Sequence, residues 1–160
     1  MGNSTISEKD IQNLVSFRDG YALFAPDGAW ELHDGIKFVT ETVHYCRANQ
    51  VRGLIVDVRS VIGLKNPSVA EKFWYTQDWA KAAERDVAIA LVANRDLIDP
   101  TKIGVTMAEN VGLRSHVFDD MEDAVEWMAL GVTAHLEFLM PVAHAAYRRS
   151  IELDPQPGTF

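Results

Sequence analysis

A chain of 160 residues, 48% hydrophobic and 24% charged, is long enough to bury one substantial core and too evenly composed for a disordered or fibrous protein. Its net charge of −8 opposes phosphate backbones and anionic lipid, because such binding needs clustered Lys and Arg, and Arg148-Arg149 is the one adjacent basic pair. The lone Cys46 excludes an internal disulfide, no apolar run reaches the roughly 18 residues of a membrane span, and the N-terminus carries no signal sequence, so the cytoplasm is the expected compartment.

The first ten residues are polar and expected to be flexible. Residues 14–17 and 21–25 are short β-prone runs separated by Asp19-Gly20, a hairpin signal, and Pro26-Asp27-Gly28 ends the second of them. Over 32–49, Ile36, Val39, Val43 and Cys46 recur at helical spacing and predict an amphipathic helix. The apolar run over 53–58 then has the character of a strand buried on both faces.

A second helix is predicted over 68–85, with Val69, Phe73, Thr76, Ala80 and Ala83 on its core arc. Residues 87–93 form another buried strand, Asp99-Pro100-Thr101 opens a short helix through about Asn110, and 115–118 is a short strand. Asp119-Asp120 caps a further helix striped by Met121, Ala124, Val125 and Met128, expected to end at Gly131. The order is one hairpin followed by βα repeats. It predicts a mixed, mostly parallel α/β sheet with helices packed on it, spanning residues 11–131.

Residues 132–153 are surplus to that repeat and form an extra C-terminal helical segment. Leu136, Leu139, Met140, Ala143 and Tyr147 share one face, and a kink is expected near Pro141. Phe138 and Val142 point off that face and leave apolar surface that packing back on the domain or against a second subunit would cover; they are the candidate oligomer contacts of an expected homodimer. Residues 154–160, with two prolines and a glycine, are expected to be flexible.

Asp57, at a strand end, invites comparison with phosphoacceptor receivers, but those also need an acidic pair after the first strand and a lysine after the last. Neither Ala25-Pro26-Asp27-Gly28 nor Phe118-Asp119-Asp120-Met121 supplies them. The element order, the hairpin start, the Leu54-Ile55-Val56-Asp57-Val58 strand with its following loop and helix, and the 87–93 strand resemble the STAS family of anti-sigma-factor antagonists. The architecture is shared with lipid-binding domains of the CRAL-TRIO type. The resemblance implies a non-enzymatic regulatory or protein-interaction module whose switch is a phosphorylated serine at the start of the helix after that strand. Ser68 occupies that position and Ser60 lies in the preceding loop, although the family's Ser-Gly-Leu is replaced here by Val61-Ile62-Gly63-Leu64. Ser68 and Glu71 also make a helix capping box, which needs no partner.

The related architecture raises the alternative of a carrier or sensor for a small apolar or acyl ligand. Trp74, Tyr75 and Trp79 on the second helix are the candidate lining of a ligand cleft or an interface, or else ordinary packing. No cofactor is implied. His33, His44, His116, His135 and His144 form no pairs at ligand spacing, so no metal site is expected. No Gly-x-Ser-x-Gly elbow or Gly-rich phosphate loop is present, and Cys46 falls on a buried stripe, so no catalytic residue is assigned.

Overall fold

The computed structural model describes residues 6–139, the last nine of them (131–139) as backbone only. Pro141, Val142, the rest of the 132–153 segment beyond Leu139 and the 154–160 tail lie outside the described residues, as does the side chain of Phe138.

Helix α1 (Glu8–Leu14) comes first. It begins within the stretch expected to be flexible because Ser7 caps it: Ser7 Oγ accepts from Asp10 N at 3.2 Å, and Asp10 Oδ2 accepts from Ser7 N at 2.9 Å. Ile6 and Ile11 then anchor the segment on the core. The helix takes Leu14, so strand β1 is Val15–Arg18, one residue later than the apolar run implied. Gly20, at φ +89°, provides the left-handed turn into β2 (Tyr21–Phe24), pairing Arg18 with Tyr21.

The βα repeats follow. A two-residue strand, β3 (Gly28–Ala29), precedes α2 (Leu32–Ala48), and β4 (Gly53–Asp57) precedes β5 (Val61–Ile62) and α3 (Val69–Ala83). Then come β6 (Ala88–Val92), a single 3-10 turn at Arg95–Leu97, α4 (Ile103–Asn110), β7 (Ser115–Phe118) and α5 (Met121–Leu139). Among the described residues one five-stranded sheet has the order β1-β2-β4-β6-β7, antiparallel only at β1.

Each parallel step moves the same way across this sheet. Right-handed crossovers therefore place α2, α3 and α4 on one face, and the buried residues of all three join Phe24, Leu54, Val56 and Ile89 in one core. The final helix, α5, covers the opposite face, where Ala124 and Met128 meet Ile55, Ala90 and Val92. Covered on both sides, β4 buries Gly53, Leu54, Ile55 and Val56, which explains its unbroken apolar run.

Three further expectations need correction. The α3 core face is Lys72, Thr76, Trp79 and Ala83, whereas Val69 and Phe73 are 56% and 45% exposed. The helix is rotated from the aliphatic arc by roughly half a residue step, which seats Trp79 beneath α2. Secondly, α4 starts at Ile103 rather than at Asp99. The Asp99 carboxylate turns back on Thr101, accepting from its N at 2.9 Å and its Oγ1 at 2.8 Å, and Lys102 sits at φ +50°. Thirdly, α5 runs through Gly131 to Leu139, since a single helical glycine costs only about 1 kcal/mol relative to alanine. Its start matches the sequence: Asp120 Oδ1 accepts from Glu122 N at 2.6 Å and Asp123 N at 3.4 Å.

Candidate functional site

The two short strands tie together the loops that leave the carboxyl ends of β2 and β4. Gly28 pairs with Val61 and Ala29 with Ile62, and Gly28 N donates to Ser60 O at 3.3 Å. That clamp holds Trp30 on one side and Val61 and Leu64 on the other, above the sheet. Trp30 is fixed by Nε1 donating to Asp27 O at 3.1 Å and by edge contacts with Phe24 and Phe38.

Between this rim, the sheet face and the facing sides of α2, α3 and α4 lies a cavity of about 160 Å³. Its floor is Phe24, Val56, Leu91 and Val117 from four adjacent strands, and its walls include Ile36 and Val39 from α2 and Val105 from α4. An apolar cavity of about 150 Å³ is large enough for a benzene-sized guest. The site therefore combines a preformed apolar interior with a few polar groups at its edge, as small-molecule sites do.

Tyr75 and Trp79 supply the α3 wall, with ring centroids 4.6 Å apart. Trp79 is 4% exposed, and its Nε1 donates to Ile36 O at 3.4 Å, joining α3 to α2. Burial pushes the Tyr75 phenol up to about 12, with the Glu71 carboxylate adding to the shift. Trp74, grouped with these two in the sequence, stands apart at 66% exposure against Phe73 and does not line the cavity.

Lys72 is the residue the sequence concealed. It is 8% exposed, lies on the cavity wall, and its Nζ is 3.5 Å from Asp99 Oδ2. A lysine on a helix ordinarily signals solvent, but its four-carbon stem covers apolar surface well while the ammonium reaches a polar partner. The one available signal was the 4-3-4 spacing of Lys72, Thr76, Trp79 and Ala83, which competes with the aliphatic arc and shares two of its members. Lys65, Lys102, Glu31 and Asn66 complete the polar rim.

The candidate phosphoacceptors lie outside the cavity lining. Ser68 caps α3: its Oγ accepts from Glu71 N at 3.1 Å, while Glu71 Oε1 accepts from Ser68 N at 2.8 Å. Ser60 is exposed in the turn before β5. Asp57 binds Arg59 through both carboxylate oxygens at 2.9 Å and accepts from Arg59 N at 3.1 Å. Burial pulls its carboxyl upward, but the Arg59 guanidinium and backbone N–H outweigh that and hold it below the usual range. Cys46 is fully buried in α2, and desolvation pushes its thiol up to about 12. Among the described residues no three His, Cys, Asp or Glu side chains converge on a common point, and no helix is long and apolar enough to cross a membrane.

Fold and site together define a small α/β domain with a ligand-sized apolar cavity at the carboxyl end of a mostly parallel sheet. No protein-family model matches the chain, and no curated protein matches it. Among solved structures it is similar to the crystal structure of an anti-sigma factor antagonist from Mycobacterium paratuberculosis. The two share 17% identity at a TM-score of 0.47, over 72% of this chain and 92% of that one.

Proposed function

We propose that this chain is a non-enzymatic, STAS-like regulatory module that senses or carries a small apolar ligand in the cavity between the sheet and α2, α3 and α4. The observation that carries the reading is the cavity itself: about 160 Å³, walled by aromatic and aliphatic side chains and preformed in the fold. Gly35 of α2 offers a clean test, because it lines the cavity and a β-carbon there meets nothing within 4 Å. Toluene added to the protein should perturb the NMR signals of Val39, Val56 and Leu91 saturably. Gly35→Leu, which fills the space, should fold normally and lose that response. A wild-type spectrum unmoved by toluene, or a response that survives in Gly35→Leu, would overturn the reading.

A second reading, a module that works by binding protein, is favoured by the exposed Val69, Phe73 and Trp74 on α3. A tryptophan and a phenylalanine in edge contact on an open helix face suit an interface. The partner would be a second copy of this chain or a regulated protein, with Phe138 and Val142 as further candidate contacts and Ser68 or Ser60 as phosphoacceptors that would alter the charge beside α3. Residues 11–131 would then be the binding domain and 132–153 an appended assembly segment. Light scattering at high concentration, with Trp74→Ser beside the wild type, tests self-association. A monomer throughout removes the homodimer.

A further inference from the structure

We infer that the guest of the cavity is a monoanionic carboxylate carrying a benzene-sized apolar body, with its head group bound at Lys72. This rests on the ligand-site reading above and adds the chemistry of the head. The interior fixes the body: its walls are apolar, and its volume of about 160 Å³ matches one ring or a short branched chain. The edge fixes the head.

Lys65, Lys72 and Lys102 line the cavity against Glu31 and Asp99, so cations outnumber anions there in a chain whose net charge is −8. This local reversal of sign is concentrated at the mouth of an apolar site, where a lone charge on a ligand would be felt most. Lys72 is the deepest of the three cations. An ammonium has three donors, and that of Lys72 meets one protein acceptor among the described residues, at the long distance of 3.5 Å.

The carboxylate that supplies it is shared with a second partner. Asp99 Oδ1 accepts from both Thr101 N and Thr101 Oγ1, leaving Oδ2 to face Lys72. A buried cation held this loosely is under-satisfied, and a carboxylate entering the cavity would supply the short, charge-assisted bonds it lacks. The neighbouring end of α4 favours the same sign: no side chain caps it, no acidic residue occupies its first turn, and Gly104 and Val105 from that turn line the cavity. Asp99 thus acts as an internal stand-in for the ligand's carboxylate, weak enough to be displaced.

The test compares phenylacetate with phenethyl alcohol, which share a ring and tether and differ in charge, by calorimetric titration of the whole chain. Phenylacetate should bind at least about tenfold more tightly. Lys72→Met, which keeps the stem's volume, should abolish the preference. Asp99→Asn should tighten phenylacetate several-fold by removing the competing anion. Lys81→Met, remote on α3, should leave the preference intact. If neither compound binds, the ligand-site reading fails with the inference. If both bind equally, or if Lys81→Met erodes the preference as much as Lys72→Met, the cavity stands and the carboxylate assignment falls. Should Lys72→Met not fold, the Asp99→Asn result decides: unchanged or weakened phenylacetate binding overturns the assignment.

Discussion

Met128 of α5 lies directly over the α-carbon of Gly53 in β4, so close that a β-carbon on Gly53 would fall inside the contact distance of the Met128 thioether. The pair sets how near α5 comes to the sheet face that it covers. Gly53→Ala should destabilise the fold by about 1–3 kcal/mol through overpacking, read as a shifted midpoint in urea denaturation. Met128→Ala opens space at the same point and should cost about 2–5 kcal/mol by itself. The double variant should then cost clearly less than the two singles together, because the added methyl occupies part of the vacated volume. Strict additivity would mean that the two residues do not control one another.

The two tryptophans of α3 should behave oppositely. Trp79 is 4% exposed and packs at a tilt against Tyr75, and Trp79→Ala removes a large ring from the junction of α2, α3 and the cavity. A loss of about 3–5 kcal/mol follows. Trp74 is 66% exposed, and Trp74→Ala should stay within about 0.5 kcal/mol of the wild type. Urea denaturation of the two variants measures both, and comparable losses would mean that α3 is rotated from the phase described.

That phase is where the sequence was least legible. Apolar runs, turn residues and helix starts located the hairpin, all five strands of the main sheet and the α5 cap, because these are encoded over a few adjacent residues such as Asp19-Gly20 and Asp119-Asp120. The phase of α3 depends instead on partners distant in the chain. Val69 and Phe73 look like core on an isolated helix, yet α2 and the sheet select Trp79, and a cavity places Lys72 where packing would have placed an aliphatic residue. Tyr75 and Trp79 were visible as a pair. Their convergence with Trp30, Ile36 and Asp99 was not, because it is produced by the crossover order and by the β3-β5 clamp. The α1 cap is faint in the sequence for a local reason: Asp10 stands where a capping box usually has Glu or Gln.

At the start of α3 the Ser68 hydroxyl accepts from Glu71 N, a first-turn donor with no carbonyl partner inside the helix. Ser68→Ala should therefore cost about 1 kcal/mol. Ser68→Asp should recover most of that loss, because aspartate caps as well as serine and suits the positive end of the helix. Thermal melts of the two variants separate capping from any role that needs the hydroxyl itself. Equal losses for Ala and Asp would argue against the cap as the source of stability.

Cys46 and Tyr75 make stability depend on alkaline pH in a definite direction. Each is neutral when protonated, and burial raises each to about 12 in the fold, from ordinary values of 9.0 for the thiol and 10.0 for the phenol. Where the unfolded chain has released a proton that the folded chain retains, rising pH favours unfolding. The stabilising contribution is thus complete below pH 9 and declines between about 9 and 12. The slope is about 1.4 kcal/mol per pH unit for Cys46, joined above pH 10 by a second proton from Tyr75. Cys46→Ala should flatten the first part of the decline and Tyr75→Phe the second, whatever either does to stability at neutral pH. The thiol gives an independent reading, because a neutral, fully buried sulfur reacts only when the structure opens. Its modification by an aromatic disulfide at pH 8 should therefore be slow in buffer and accelerate steeply with sub-denaturing urea. Rapid labelling in buffer, or an alkaline slope unaltered by both substitutions, would place these two side chains in a wetter environment than the packing of α2 and α3 against the sheet allows.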